Sequence, residues 1–247
     1  MAAGSEKNRR WPGVLRFSLG IAFVLVAVLA FLKGLAWYWA VMCFCGASFG
    51  VVGKRRIMRA GVTRTPDDIV CRYVPWYEAS AYLLNFALPL MGIAGIYAGY
   101  VPGNPVWLRF AGILLLLATL LMMYATFRMW NRCSLRFTPS TLTIRVADPK
   151  IRPGELTRDQ VEAITPKWIA NSVSGAKALQ VEIAYRPEDS PTDAPKTVML
   201  GLQLTVEPIN LYGAVVAWHD GANADRNELL DRIEQILRGR STAVAHT

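Results

Sequence analysis

The sequence predicts a membrane-helical protein: four transmembrane helices followed by a small α+β domain on the cytoplasmic side. Three observations carry that expectation. Phe110–Phe127 (FAGILLLLATLLMMYATF) runs eighteen residues without a charge, about 27 Å of helix at 1.5 Å per residue and close to the thickness of a bilayer's hydrocarbon core. The charge is divided unevenly, with 14 Lys/Arg against 4 Asp/Glu through Arg132 and 13 against 14 beyond it. Past Arg132 the apolar pattern changes from long continuous runs to short alternating ones.

With 247 residues, 53% of them hydrophobic, the chain has room for a membrane part and one further domain of roughly a hundred residues. The basic excess lies in the apolar half. It therefore fits Lys/Arg held near a cytoplasmic leaflet and argues against a nucleic-acid partner, which needs the excess on a soluble face. Cys43, Cys45, Cys71 and Cys133 form no secreted disulfide framework, and reduced thiols are expected.

Residues 1–13 form a basic lead with Lys7, Arg9 and Arg10. The transmembrane domain spans 14–132, with helices expected at about 14–32, 35–53, 79–100 and 106–129. A cleaved signal peptide is the alternative for the first span. Its length, the lack of a small-x-small cleavage pattern and the second span close behind it argue otherwise. Only Lys33-Gly34 separates spans one and two, so they should form a tight hairpin. Thr65-Pro66-Asp67-Asp68 has a cap, a first-turn proline and acids at the positive end, and predicts a helix running past Tyr73, Trp76 and Tyr77 into span three. Pro89 should kink that span. Lys/Arg crowd the lead, the 54–64 loop and the exit after Phe127, whereas the two hairpin tips hold only Lys33 and the nearby Arg109. A multi-pass plasma-membrane protein with both termini cytoplasmic follows.

Beyond the membrane, residues 133–239 should form the cytoplasmic domain and 240–247 a tail. CSLRFT and TLTIRVA flank Pro139-Ser140 as a hairpin. DQVEAITP, KALQVEIAY and KTVMLGLQLT read as three more strands, with EDSPTDAP a solvated loop. Proline after Glu207 tips PINLYGAVVAW towards a short helix. Asp225-x-x-Glu228 matches a capping box, and Leu229, Leu230, Ile233, Ile236 and Leu237 form one apolar face of a closing helix.

Few residues suggest chemistry. Gly46-Ala47-Ser48-Phe49-Gly50 fits the G-x-S-x-G nucleophile pattern by letter. It lies inside a span, without the strand–turn–helix context and without a base, since His219 and His246 both belong to the soluble part. The same stretch, with Gly95 and Gly99, supplies two G-x-x-x-G patterns. Gly46, Gly50, Gly95 and Gly99 are thus the helix-contact candidates, serving either this bundle or a foreign membrane partner. Cys43 and Cys45, two apart on a helix, face different sides and make no metal site. Glu78 should be a satisfied boundary residue, and Asn85 should hydrogen-bond a neighbouring helix. Lys54, Arg55, Arg56, Arg59 and Arg64 set topology and are the candidates for anionic lipid headgroups. His219-Asp220-Gly221 reads as a turn. No P-loop, HExxH or dinucleotide fingerprint occurs, so neither a catalytic set nor a cofactor is expected.

CSLRFTPSTLTIRV, LTRDQVEAITPKW and NELLDRIEQIL together resemble bacterial pleckstrin-homology-like domains that follow transmembrane hairpins. That resemblance implies a curved sheet capped by a C-terminal helix. The whole is similar to the actinobacterial lipid-uptake-coordinator subunits that accompany mycobacterial Mce-type lipid importers. This implies a non-catalytic accessory role beside a permease. A stand-alone lipid- or protein-sensing module is the alternative, and an integral membrane enzyme the third.

Overall fold

The computed structural model describes residues 36–52, 56–146, 154–170, 177–186, 195–201, 203–222 and 225–240, with scattered positions between 18 and 34. The expected lead at 1–13, the loop EDSPTDAP up to Ala194 and residues 241–247 of the tail lie outside them. So does much of span 14–32, whose described positions from 18 to 32 are helical. The chain divides into two compact units, Met1–Arg56 with Glu78–Thr126, and Ile57–Tyr77 with Phe127–Thr247.

The first unit is helical. α1 (Trp37–Val52) packs on α2 (Ala79–Ala98), and α3 begins at Trp107 and continues to Arg132. The α2 and α3 helices are long and apolar enough to cross a membrane. Four spans were expected, and these two meet that test among the described residues. Tyr38, Ala94, Ala98 and Leu108 form the small core of this unit. Asn104, in the turn between α2 and α3, fixes one end by donating to the Tyr38 hydroxyl (3.0 Å) and the Ala98 carbonyl (2.9 Å).

Pro89 leaves its mark on α2 just upstream. Leu83–Ala87 winds as a π-helix, and the Leu88 N–H reaches back to the Leu83 carbonyl. A widened turn is a common answer to a proline that can neither donate nor tolerate the carbonyl four residues behind it. Asn85 corrects an expectation here: its side-chain amide donates to Ala81 O of its own helix at 2.8 Å, not to a neighbouring one.

The second unit is α+β. One antiparallel sheet runs in chain order through β1 (Val62–Arg64), β2 (Ile69–Arg72), β3 (Ser134–Phe137), β4 (Thr141–Arg145) and β5 (Gly154–Thr157). A second holds β6 (Val161–Ala170), β7 (Lys177–Tyr185) and β8 (Lys196–Leu200). α4 (Pro208–Asp220) packs on β6 and β7, and α5 (Arg226–Leu237) packs on α4. Ile69, Leu135, Phe137, Leu142, Val181, Ile183, Leu211, Trp218, Leu230 and Ile233 share one core.

Two expectations fail in this unit. Thr65-Pro66-Asp67-Asp68 starts no helix; it is the turn joining β1 to β2, closed by Thr65 N–H to the Asp68 carbonyl at 2.9 Å. The domain expected at 133–239 therefore also recruits residues 57–77. Val62, Ile69 and Val70 decide the matter, because β-branched residues on both sides favour a ladder, and Thr-Pro-Asp-Asp serves equally well as a β-turn. Likewise Asp225 stands at the N-cap of α5 but makes no side-chain cap bond, and the neighbouring Arg226 pairs with Asp67 at 2.8 Å. The apolar face foreseen for that helix is buried at all five positions.

Candidate functional site

The helix-contact glycines separate into two groups. A Cβ at Gly95 would stand 3.3 Å from Leu108 O, and one at Gly99 would stand 2.5 Å from Arg109 N. Across the same seam, a Cβ at Gly112 would meet Gly92 O at 2.5 Å. So α2 and α3 approach backbone to backbone, the arrangement small residues permit where lipid offers no hydrophobic drive. Gly46 differs: nothing lies within 4 Å of its added Cβ among the described residues. The side chain position of Gly50 lies outside them.

Ser48 is not poised for attack. Its hydroxyl donates to Phe44 O at 2.9 Å, one turn back on α1, the usual resting place of a helical serine. Cys45 is buried and Cys43 partly so. Among the described residues, no group of three or more His, Cys, Asp and Glu could hold a metal ion. In the second unit, burial pushes the Cys71 thiol up to about 12, which removes it as a nucleophile. His219 and Asp220 end α4 rather than forming a loop, with Gly221 as the cap residue. They form an exposed pair 3.4 Å apart.

The basic candidates also part company. Arg64 lies in β1 and pairs with Asp231 of α5 at 2.9 Å, so it ties strand to helix and is withdrawn from the headgroup set. Arg56 is exposed, and its carbonyl accepts the Ala79 N–H at 3.0 Å. Arg59 is exposed, with its guanidinium 5.2 Å from the Tyr77 ring centroid. Lys54 and Arg55 lie outside the described residues.

Arg59 is the candidate that the fold gives company. It lines a cleft of about 460 Å³ with Ile57, Met58, Asn210, Arg238 and Arg240, and with Glu207 as its one acid. The sequence reading did not single out Arg238, Arg240 or Asn210. The available signal was the pair of arginines flanking Gly239, where α5 ends and cations face the negative end of the helix dipole. Gly239 adopts φ +68°, and a Cβ there would sit 3.2 Å from Asn210 Nδ2. This glycine lets the chain turn back beside Asn210 and carry Arg240 to the cleft.

No protein-family model, curated protein or solved structure matches this chain.

Proposed function

We propose that this chain is a four-span membrane protein, both termini cytoplasmic, that binds and stabilises a larger membrane assembly without catalysing a reaction. The permease of a lipid importer is the partner that the resemblance implies. Membrane insertion is supported by exposure: only 11% of the most apolar window of α3 is buried, whereas a soluble core helix would be mostly covered. Leu114, Leu117, Leu120, Leu121 and Tyr124 lie open along it, an apolar face that water would not tolerate. β2 pairs with β3 on either side of the α2–α3 segment. If that segment crosses the bilayer twice, the two flanks share a side, and the positive-inside rule makes it the cytoplasmic one. Two antiparallel sheets with a C-terminal helix support the pleckstrin-homology-like reading.

The observation that supports the accessory role is that no described residue occupies the surface at Gly46, whereas α3 already fills the surface at Gly95 and Gly99. Gly46→Leu should leave an inserted, full-length protein that no longer co-purifies with its partner. Gly95→Leu should instead lower accumulation of the protein itself. A Gly46→Leu chain that keeps its partner in full stoichiometry would remove the support for this reading.

A further inference from the structure

The cleft at Arg59 is built from three distant stretches, 57–60, 207–210 and 237–240. Its guanidiniums are unequally engaged. Arg238 bonds Glu234 Oε1 at 2.8 Å, one turn back on α5. Neither Arg59 nor Arg240 makes an ion pair or side-chain hydrogen bond among the described residues, and Arg59 rests on Tyr77 alone. Glu207 offsets one of the three positive charges, and Asn210 adds an amide donor. Two planar, five-donor forks on one cleft, neither engaged by a described residue's acid, favour a ligand with several anionic oxygens.

The surroundings narrow the source of those oxygens. Met58 donates its N–H to Tyr77 O at 2.8 Å, and α2 begins two residues after Tyr77. Met58 and Trp76 are 61% and 51% exposed, and Trp76 packs edge-on against Trp130, their ring centroids 4.8 Å apart. Exposed Met and Trp beside arginines, at the chain's entry to an apolar helix, are the composition of a bilayer interface. A volume of about 460 Å³ lies in the usual range for small-ligand sites.

We infer that the cleft lined by Arg59, Asn210, Arg238 and Arg240 binds the phosphate of an anionic phospholipid headgroup. Arg59 and Arg240 clamp the phosphate oxygens, Asn210 donates a further hydrogen bond, and Met58 lies against the acyl-chain side. The inference rests on the membrane reading above, since it needs residues 57–58 at a bilayer surface.

The test is native mass spectrometry of the full-length chain in neutral detergent, supplemented with phosphatidylglycerol or with phosphatidylcholine. The wild-type chain should retain one phosphatidylglycerol in preference to phosphatidylcholine. Arg59→Gln with Arg240→Gln should weaken that retention roughly thirtyfold, which is about 1 kcal/mol for each surface arginine at 1.4 kcal/mol per decade. A control with the same loss of charge away from the cleft, Arg145→Gln with Arg232→Gln, should retain the lipid as the wild type does. Unchanged retention in the first variant, or equal loss in the control, overturns the site. Displacement by glycerol phosphate as effective as that by phosphatidylglycerol overturns the lipid source. Should the double variant unfold, Arg240→Gln alone, exposed beyond the end of α5, carries the same comparison. Alkaline extraction separates the two readings: a chain that washes out of membranes overturns both, whereas one that resists washing yet retains no phosphatidylglycerol overturns the cleft alone.

Discussion

Asp68 is only 5% exposed, yet it holds together two strands that are 62 residues apart in the chain at their nearest ends. Its carboxylate accepts from the Thr65 hydroxyl across the β1–β2 turn and from the Arg136 guanidinium on β3. Burial pushes its pKa up, but the Thr65 hydrogen bond and the Arg136 bond and charge outweigh that and hold it below the ordinary carboxylate value. The stability it contributes is therefore complete above the unfolded pKa of about 3.9 and is lost as pH falls through the lower folded value. Asp68→Asn should cost about 1–3 kcal/mol at neutral pH. Thermal unfolding followed downward from neutral pH should show the wild type losing more stability than the variant below about pH 4. Parallel pH profiles would mean that the carboxylate is not ionised and paired in the folded chain.

At the scale of elements, the α2–α3 seam is a backbone-to-backbone contact. A methyl at Gly112 would meet Gly92 O at 2.5 Å and Ile96 N at 2.6 Å, so Gly112→Ala should destabilise the hairpin by about 1–3 kcal/mol. Gly46→Ala, with no described atom within 4 Å of the added methyl, should leave the melting temperature unchanged or slightly raised, since alanine favours helix. Melting both variants in one mild detergent checks the contrast, and equal losses would contradict it.

Long elements were legible in the sequence because each carries its own period. The uncharged run at Phe110–Phe127 and the five-residue apolar face of α5 needed no partner to be seen. β1 and β2 were not legible, because three and four residues of strand flanking Thr-Pro-Asp-Asp look local, and β2 finds its partner β3 only beyond the α2–α3 segment. β5 is four residues with one buried position, Leu156, too short for alternation to register. Of the cleft, Arg59 stood out from sequence only as one charge in a basic loop. Asn210, Arg238 and Arg240 lie some 150 to 180 residues further on, and only the folding of α4 and α5 brings them to it.

For the whole molecule, the pairing of β2 with β3 makes a topological demand. If α2 and α3 both cross the bilayer, cysteines introduced at Pro66, in the β1–β2 turn, and at Ser140, in the β3–β4 turn, should report one side of the membrane and Pro102, in the turn between α2 and α3, the other. A membrane-impermeant maleimide should label Pro102→Cys in intact cells and the other two only after permeabilisation. Opposite behaviour of Pro66→Cys and Ser140→Cys would break the two-span hairpin. The central claim goes further, to a protein that works by holding another membrane protein. Its most direct test is the mass of the tagged chain released from its native membrane in mild detergent. The account predicts a complex in which a second integral membrane protein is present in fixed stoichiometry and is lost from Gly46→Leu. A chain that emerges alone, or with a partner indifferent to Gly46→Leu, would contradict it.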